Sequence, residues 1–101
     1  MTVWAYAPDL MDRSKFGDRA SFVASPGGLA SCVAPGDLVV VDLSRAGVLE
    51  ALALLPDGVR TIGFGSHVDR SLLEAATAAG CQTVLPRSKF FASLPTLLTE
   101  L

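Results

Sequence analysis

The chain lacks the marks of several protein classes. It holds one histidine, His67, and no second histidine or thiolate stands at zinc-ligand spacing from it. Its two cysteines, Cys32 and Cys81, show no C-x-x-C spacing, so two reduced thiols are the simplest reading and a disulfide or metal role the alternative. No apolar run approaches the roughly 18 residues of a membrane span. Residues 1–6 also lack the basic flank and long apolar core of a signal peptide. Those two absences point to a cytoplasmic protein without membrane contact. The net charge is −2, and the charged residues are scattered, with no basic stripe interleaved with aromatics. That argues against nucleic acid as a direct partner. Internal repeats, low-complexity segments and linkers are missing too, so the 101 residues read as one domain, 1–101.

What is present is apolar material: half of the residues are hydrophobic. A domain this size can bury about 60–70% of its unfolded surface. The dominant stretch is Asp37-Leu38-Val39-Val40-Val41-Asp42-Leu43-Ser44. Such a β-branched run reads as a strand buried on both faces at the centre of a parallel sheet. Its C-terminal end, where Asp42 sits, is where α/β folds place ligands.

Four further short runs flank it, at residues 3–6, 21–24, 59–64 and 82–85. Between them lie helix patterns. Asp9 can N-cap a helix over 10–20, with Asp12 in its first turn and Leu10, Met11, Phe16 and Ala20 as inner face. A stunted helix fits 29–34. Ser44 can cap one over 45–55. Ser66-His67-Val68-Asp69 resembles a capping box ahead of a helix over 67–79. The last helix follows Ser88, with Phe90 and Leu94 in its stripe and a bend or restart at Pro95. Five alternations of strand and helix predict an α/β doubly wound parallel sheet with helices on both faces.

These residues resemble the receiver domains of two-component response regulators, over nearly the whole chain. The third strand ending in Asp42, the Ala79-Gly80 junction before the fifth strand and the aromatic, leucine-rich tail from Lys89 carry the likeness. The resemblance implies a flavodoxin-like, five-stranded sheet in the order 2-1-3-4-5, with Asp42 as the phospho-acceptor position. The family's metal-binding acidic pair falls on Ala7 and Pro8, with only Asp9 beside it. Its conserved hydroxyl falls on Gly65, next to Ser66, and its lysine on Arg87. The chain therefore resembles a degenerate member, a pseudo-receiver.

Phosphoryl transfer to a carboxylate relies on electrostatic positioning, and Mg²⁺ needs a near-octahedral set of oxygens. Asp42 with little acidic company implies no cofactor, or Mg²⁺ held weakly, in roughly the millimolar range. Arg87 in place of lysine can grip a carboxylate with a planar fork, and the expected partner is Asp42. Asp9, Ser66, His67 and Arg87 are thus the supporting site residues, although helix capping competes for Asp9 and Ser66. Phe90, Phe91 and Leu94 fall on the face that the family uses for partners.

Three functions follow as expectations. The first is a non-catalytic, stand-alone signalling module without enzyme activity, read out in trans because the sequence stops at Leu101. It would bind a protein partner, such as a histidine kinase or a regulator, or a second copy of itself. The second is a response regulator phosphorylated on Asp42. The third is a small-ligand module of flavodoxin type, which the acidic, glycine-free loop after the first strand disfavours.

Overall fold

A computed structural model describes residues 1–66 and 68–99; His67 lies outside the described residues. The run Leu38–Asp42 forms β3, and all five of its residues are buried. It occupies the centre of a five-stranded sheet with β1 (Val3–Tyr6), β2 (Ser21–Phe22), β4 (Arg60–Gly65) and β5 (Thr83–Pro86), in the order β2-β1-β3-β4-β5. Every pairing is parallel, with Val40 opposite Ala5 on one side and Ile62 on the other. The crossovers carry α1 (Leu10–Phe16), α2 (Leu29–Cys32), α3 (Val48–Ala53) and α4 (Arg70–Ala78), and α5 (Arg87–Thr99) follows the last strand. The architecture and strand order are those expected. Among the described residues, no helix is long and apolar enough to cross a membrane.

The pleat divides the core. Leu38 and Val40 face Phe16 of α1 and Phe90 and Leu94 of α5, whereas Val39 and Val41 face Leu29, Val48, Leu52 and Ala76 of α2, α3 and α4. All five phenylalanines belong to the first layer: Phe16, Phe64 and Phe90 are buried, and Phe22 and Phe91 pack half-buried against them. Phe64 and Phe90 stack with ring centroids 4.7 Å apart. Such pairs add about 0.5–1.5 kcal/mol beyond the area they bury. The second layer is aliphatic, edged by half-buried Trp4 and Tyr6. Cys32 is exposed and Cys81 buried, both as free thiols.

One glycine shapes the site end of the sheet. A Cβ on Gly63 of β4 would lie 2.8 Å from Leu43 Cδ2, so only glycine lets the buried Leu43 fold back over the sheet directly after Asp42.

Several helix starts differ from expectation. Helix α1 ends at Phe16, not near 20, and Leu10 and Met11 are exposed rather than inward. Asp9 caps this helix through Oδ1, which accepts the Met11 and Asp12 N–H groups at 2.8 and 3.2 Å. That start sets the helix phase so that Asp12 and Phe16, four residues apart, point inward. Helix α3 begins at Val48 after Gly47, whose φ is 84°, so Ser44 does not cap it. Helix α4 is capped by Asp69, which accepts the Leu72 N–H at 3.1 Å, and not by Ser66. Helix α5 starts at Arg87, one residue before Ser88, and continues through Pro95.

Candidate functional site

The C-terminal ends of the strands open onto a cleft of about 290 Å³. Asp42 forms its floor as the last residue of β3, and it is buried. The chain turns at once over this carboxylate. Asp42 Oδ1 accepts the Ser44 backbone N–H at 3.0 Å and the Ser44 hydroxyl at 2.6 Å. This is an Asx-turn, in which the aspartate stands in for a backbone carbonyl. Its Oδ2 accepts a long 3.5 Å contact from Arg45 Nε. Both carboxylate oxygens of Asp42 thus belong to residues two and three positions ahead.

Arg87 does not pair with Asp42, as the sequence had suggested. It forms a short ion pair through Nη2 with Oδ1 of Asp12. The correction has a geometric cause. Capping by Asp9 turns Asp12 toward the core, and β5 passes into α5 with no intervening loop, which fixes Arg87 above the aromatic layer. The guanidinium lies 5.4 Å from the Phe64 ring centroid and 5.3 Å from that of Phe91. A cation at the first position of a helix opposes the helix dipole. Asp12 offsets that cost, and its hydrogen bond and charge raise the Arg87 pKa above its ordinary value. The other Asp12 oxygen, Oδ2, is buried without a hydrogen-bond partner among the described residues.

Asp9 and Ser66 both border the cleft. Asp9 is held as a cap, and the two N–H groups it accepts lower its pKa. Ser66 is exposed, and its hydroxyl accepts a 3.4 Å contact from the Val68 N–H. Phe90 and Leu94 were expected on a partner-binding face; they are 0% and 3% exposed and belong to the core. Helix α5 lies with that stripe against the sheet, and of the three only Phe91 is half-buried, with its ring against Phe16 and Phe64.

Asp12, Ser44 and Arg45 were not singled out from sequence as site residues. A signal existed for Asp12, because it stands four residues before the inward Phe16. Asp42-x-Ser44 is likewise the spacing of an Asx-turn, which competes with capping by Ser44.

The residues present do not fit the Mg²⁺ that the receiver resemblance implies. The Asp42 oxygens are taken by Ser44 and Arg45, one oxygen each of Asp9 and Asp12 by capping and by Arg87, and Ala7 and Pro8 offer no side-chain ligand. Among the described residues, no three carboxylate, thiol or imidazole groups converge to hold a metal ion.

No protein-family model and no curated protein matches the chain. A crystal structure of a CpaE2 pilus assembly protein from Sinorhizobium meliloti 1021 is similar in fold. It has a TM-score of 0.60 and 22% sequence identity, and the match covers 94% of this chain and 98% of that one. At that identity the likeness speaks for the fold alone, a flavodoxin-like α/β sheet.

Proposed function

We propose that this chain is a non-catalytic pseudo-receiver, a module that works by protein–protein contact and is not phosphorylated by the Mg²⁺-dependent route. One observation carries this reading. The two residues a receiver would use for phosphorylation, the strand-end aspartate and the basic residue after the fifth strand, are each committed to another partner: Asp42 to Ser44 and Arg45, Arg87 to the buried Asp12. A phosphoryl group on Asp42 would displace the Asx-turn and would find no carboxylate set to hold its metal. The kept aspartate then has a structural task, which is to turn the chain from β3 toward α3.

Acetyl phosphate with Mg²⁺, followed by intact-mass measurement, tests the reading. The expected result is no phosphate adduct. An adduct on the natural chain that is absent from Asp42→Asn overturns it and makes the chain a phosphorylatable single-domain regulator.

A further inference from the structure

The cleft over Asp42 does not end at Arg45. Ser44 and Arg45 also border a second groove, of about 570 Å³, at the starts of α3 and α4. Leu43, Leu49 and Leu72 give that groove aliphatic walls, and Glu50 and Asp69 give it negative charge. The two cavities therefore form one surface, polar over Asp42 and greasy between the helices.

Charge on this surface does not balance. Arg45 answers Asp42 and Arg87 answers Asp12. Asp9, Glu50 and Asp69 have no ion-pair partner among the described residues. Asp9 and Asp69 each use only Oδ1 in capping, and the helix ends they cap offset part of their charge. The side chain of the exposed Glu50 makes no hydrogen bond among the described residues. Asp12, 1% exposed and in the wall of the Asp42 cleft, keeps Oδ2 without a donor among the described residues. A buried carboxylate oxygen in that state is relieved by any N–H donor that reaches it. Close in sequence to the site residues stand exposed apolar side chains. Leu10 and Met11, directly after Asp9, are 77% and 74% exposed, and Val68, between Ser66 and Asp69, is 76% exposed.

We infer that this double cleft docks a short segment of a partner protein in which lysines alternate with aliphatic residues. A lysine ammonium is a compact group with three donors, suited to a cleft lined by Asp9, Asp12 and Asp42. The neighbouring aliphatic side chains lie on Leu43, Leu49 and Leu72. An acidic segment would instead meet Asp9, Glu50 and Asp69. The inference rests on the pseudo-receiver reading, since it names the chemistry of the partner that such a module contacts at this site.

The test uses the full isotopically labelled chain and two probes, the peptide acetyl-ALKLKA-amide and its counterpart acetyl-ALELEA-amide. The lysine peptide is expected to shift the backbone amide signals of Ser44, Gly65, Ser66 and Leu72 saturably, and the glutamate peptide to leave them in place. Added salt weakens the binding, and Glu50→Lys weakens it roughly three- to ten-fold, as expected for reversing one exposed charge at the contact. Equal or stronger shifts with the glutamate peptide, no shifts with either, or unchanged lysine-peptide affinity in Glu50→Lys each overturn the proposal. Phosphate uptake is read separately. A chain that takes no phosphate and binds neither peptide loses the docking site but keeps the pseudo-receiver reading. A chain that is phosphorylated and still binds the lysine peptide does the reverse.

Discussion

The central strand has an aspartate at each end, and the two are held by different kinds of partner. Asp37, just before β3, accepts the backbone N–H groups of Thr2 at 2.9 Å and Ala34 at 3.0 Å, and the Trp4 indole N–H at 3.1 Å. These donors come from β1, from the residue before it and from the loop after α2, so one carboxylate ties three parts of the chain together. Asp42, at the other end, accepts from Ser44 and from the half-exposed Arg45. Main-chain donors are fixed by the fold, and Asp37 takes two of them from distant segments, whereas Asp42 takes one, from its near neighbour Ser44, beside a hydroxyl and a guanidinium that can rotate away at small cost. The N-terminal end is therefore built as a clamp, and the C-terminal end as a place where partners can be exchanged.

The aromatic layer under the C-terminal end gives the largest test of this contrast. Phe90→Ala removes a fully buried ring stacked on Phe64 and should cost about 3–5 kcal/mol in chemical denaturation. A loss below about 1 kcal/mol would place Phe90 on the surface and return it to the partner-binding face.

Next in size is Arg87→Ala, which leaves the buried Asp12 carboxylate without its cation. The expected loss is about 1–3 kcal/mol. Replacing both partners, in Asp12→Leu with Arg87→Ala, should recover much of that loss, because no stranded charge remains. Recovery with Asp42→Ala in place of Asp12→Leu would instead restore an Arg87–Asp42 pair.

The clamp end has a pH signature. Hydrogen bonds from Thr2, Ala34 and Trp4 lower the Asp37 pKa below its ordinary 3.8. A carboxylate held lower in the folded state gives stability that is present above about pH 4 and is lost as pH falls through its lowered native value. Asp37→Asn should therefore lower the melting temperature at neutral pH and flatten its decline below pH 4. An unchanged acid limb in that variant would show that Asp37 does not anchor the strand.

The smallest effect is expected at Asp42. Asp42→Asn keeps an oxygen for Ser44 and loses only a long ion pair to an exposed arginine, so the change should stay below about 1 kcal/mol. A larger loss than in Asp37→Asn would reverse the assignment of clamp and exchangeable end.

Much of the fold is legible in the chain. The run at 38–42 reads as a central strand because β-branched residues without polar alternation suit burial on both faces, and short crossovers make the sheet parallel, while its order is what the receiver resemblance implies. The site is legible only in its location. Asp42, Ser66 and Arg87 do converge with Asp9 at the strand ends, but which carboxylate Arg87 grips is not a local property. Asp12 and Arg87 are 75 residues apart. Their meeting depends on the phase of α1, set by the Asp9 cap, and on β5 running into α5 without a loop. A helix start moved by one residue turns its side chains by about 100°, enough to carry Asp12 out of reach.

The sequence by itself determined the strands, the cap at Asp9 as a candidate, the aliphatic and aromatic content of the core, and the presence of a carboxylate at the site end of β3. These depend on patterns a few residues long, where backbone geometry and side-chain type act directly. Tertiary structure alone decided that Phe90 and Leu94 are core, that Asp12 rather than Asp42 holds Arg87, and that Glu50 and Asp69 share one surface with the Asp42 cleft. Each of those outcomes depends on how separate elements are placed against one another, and that placement is settled by packing the whole core at once.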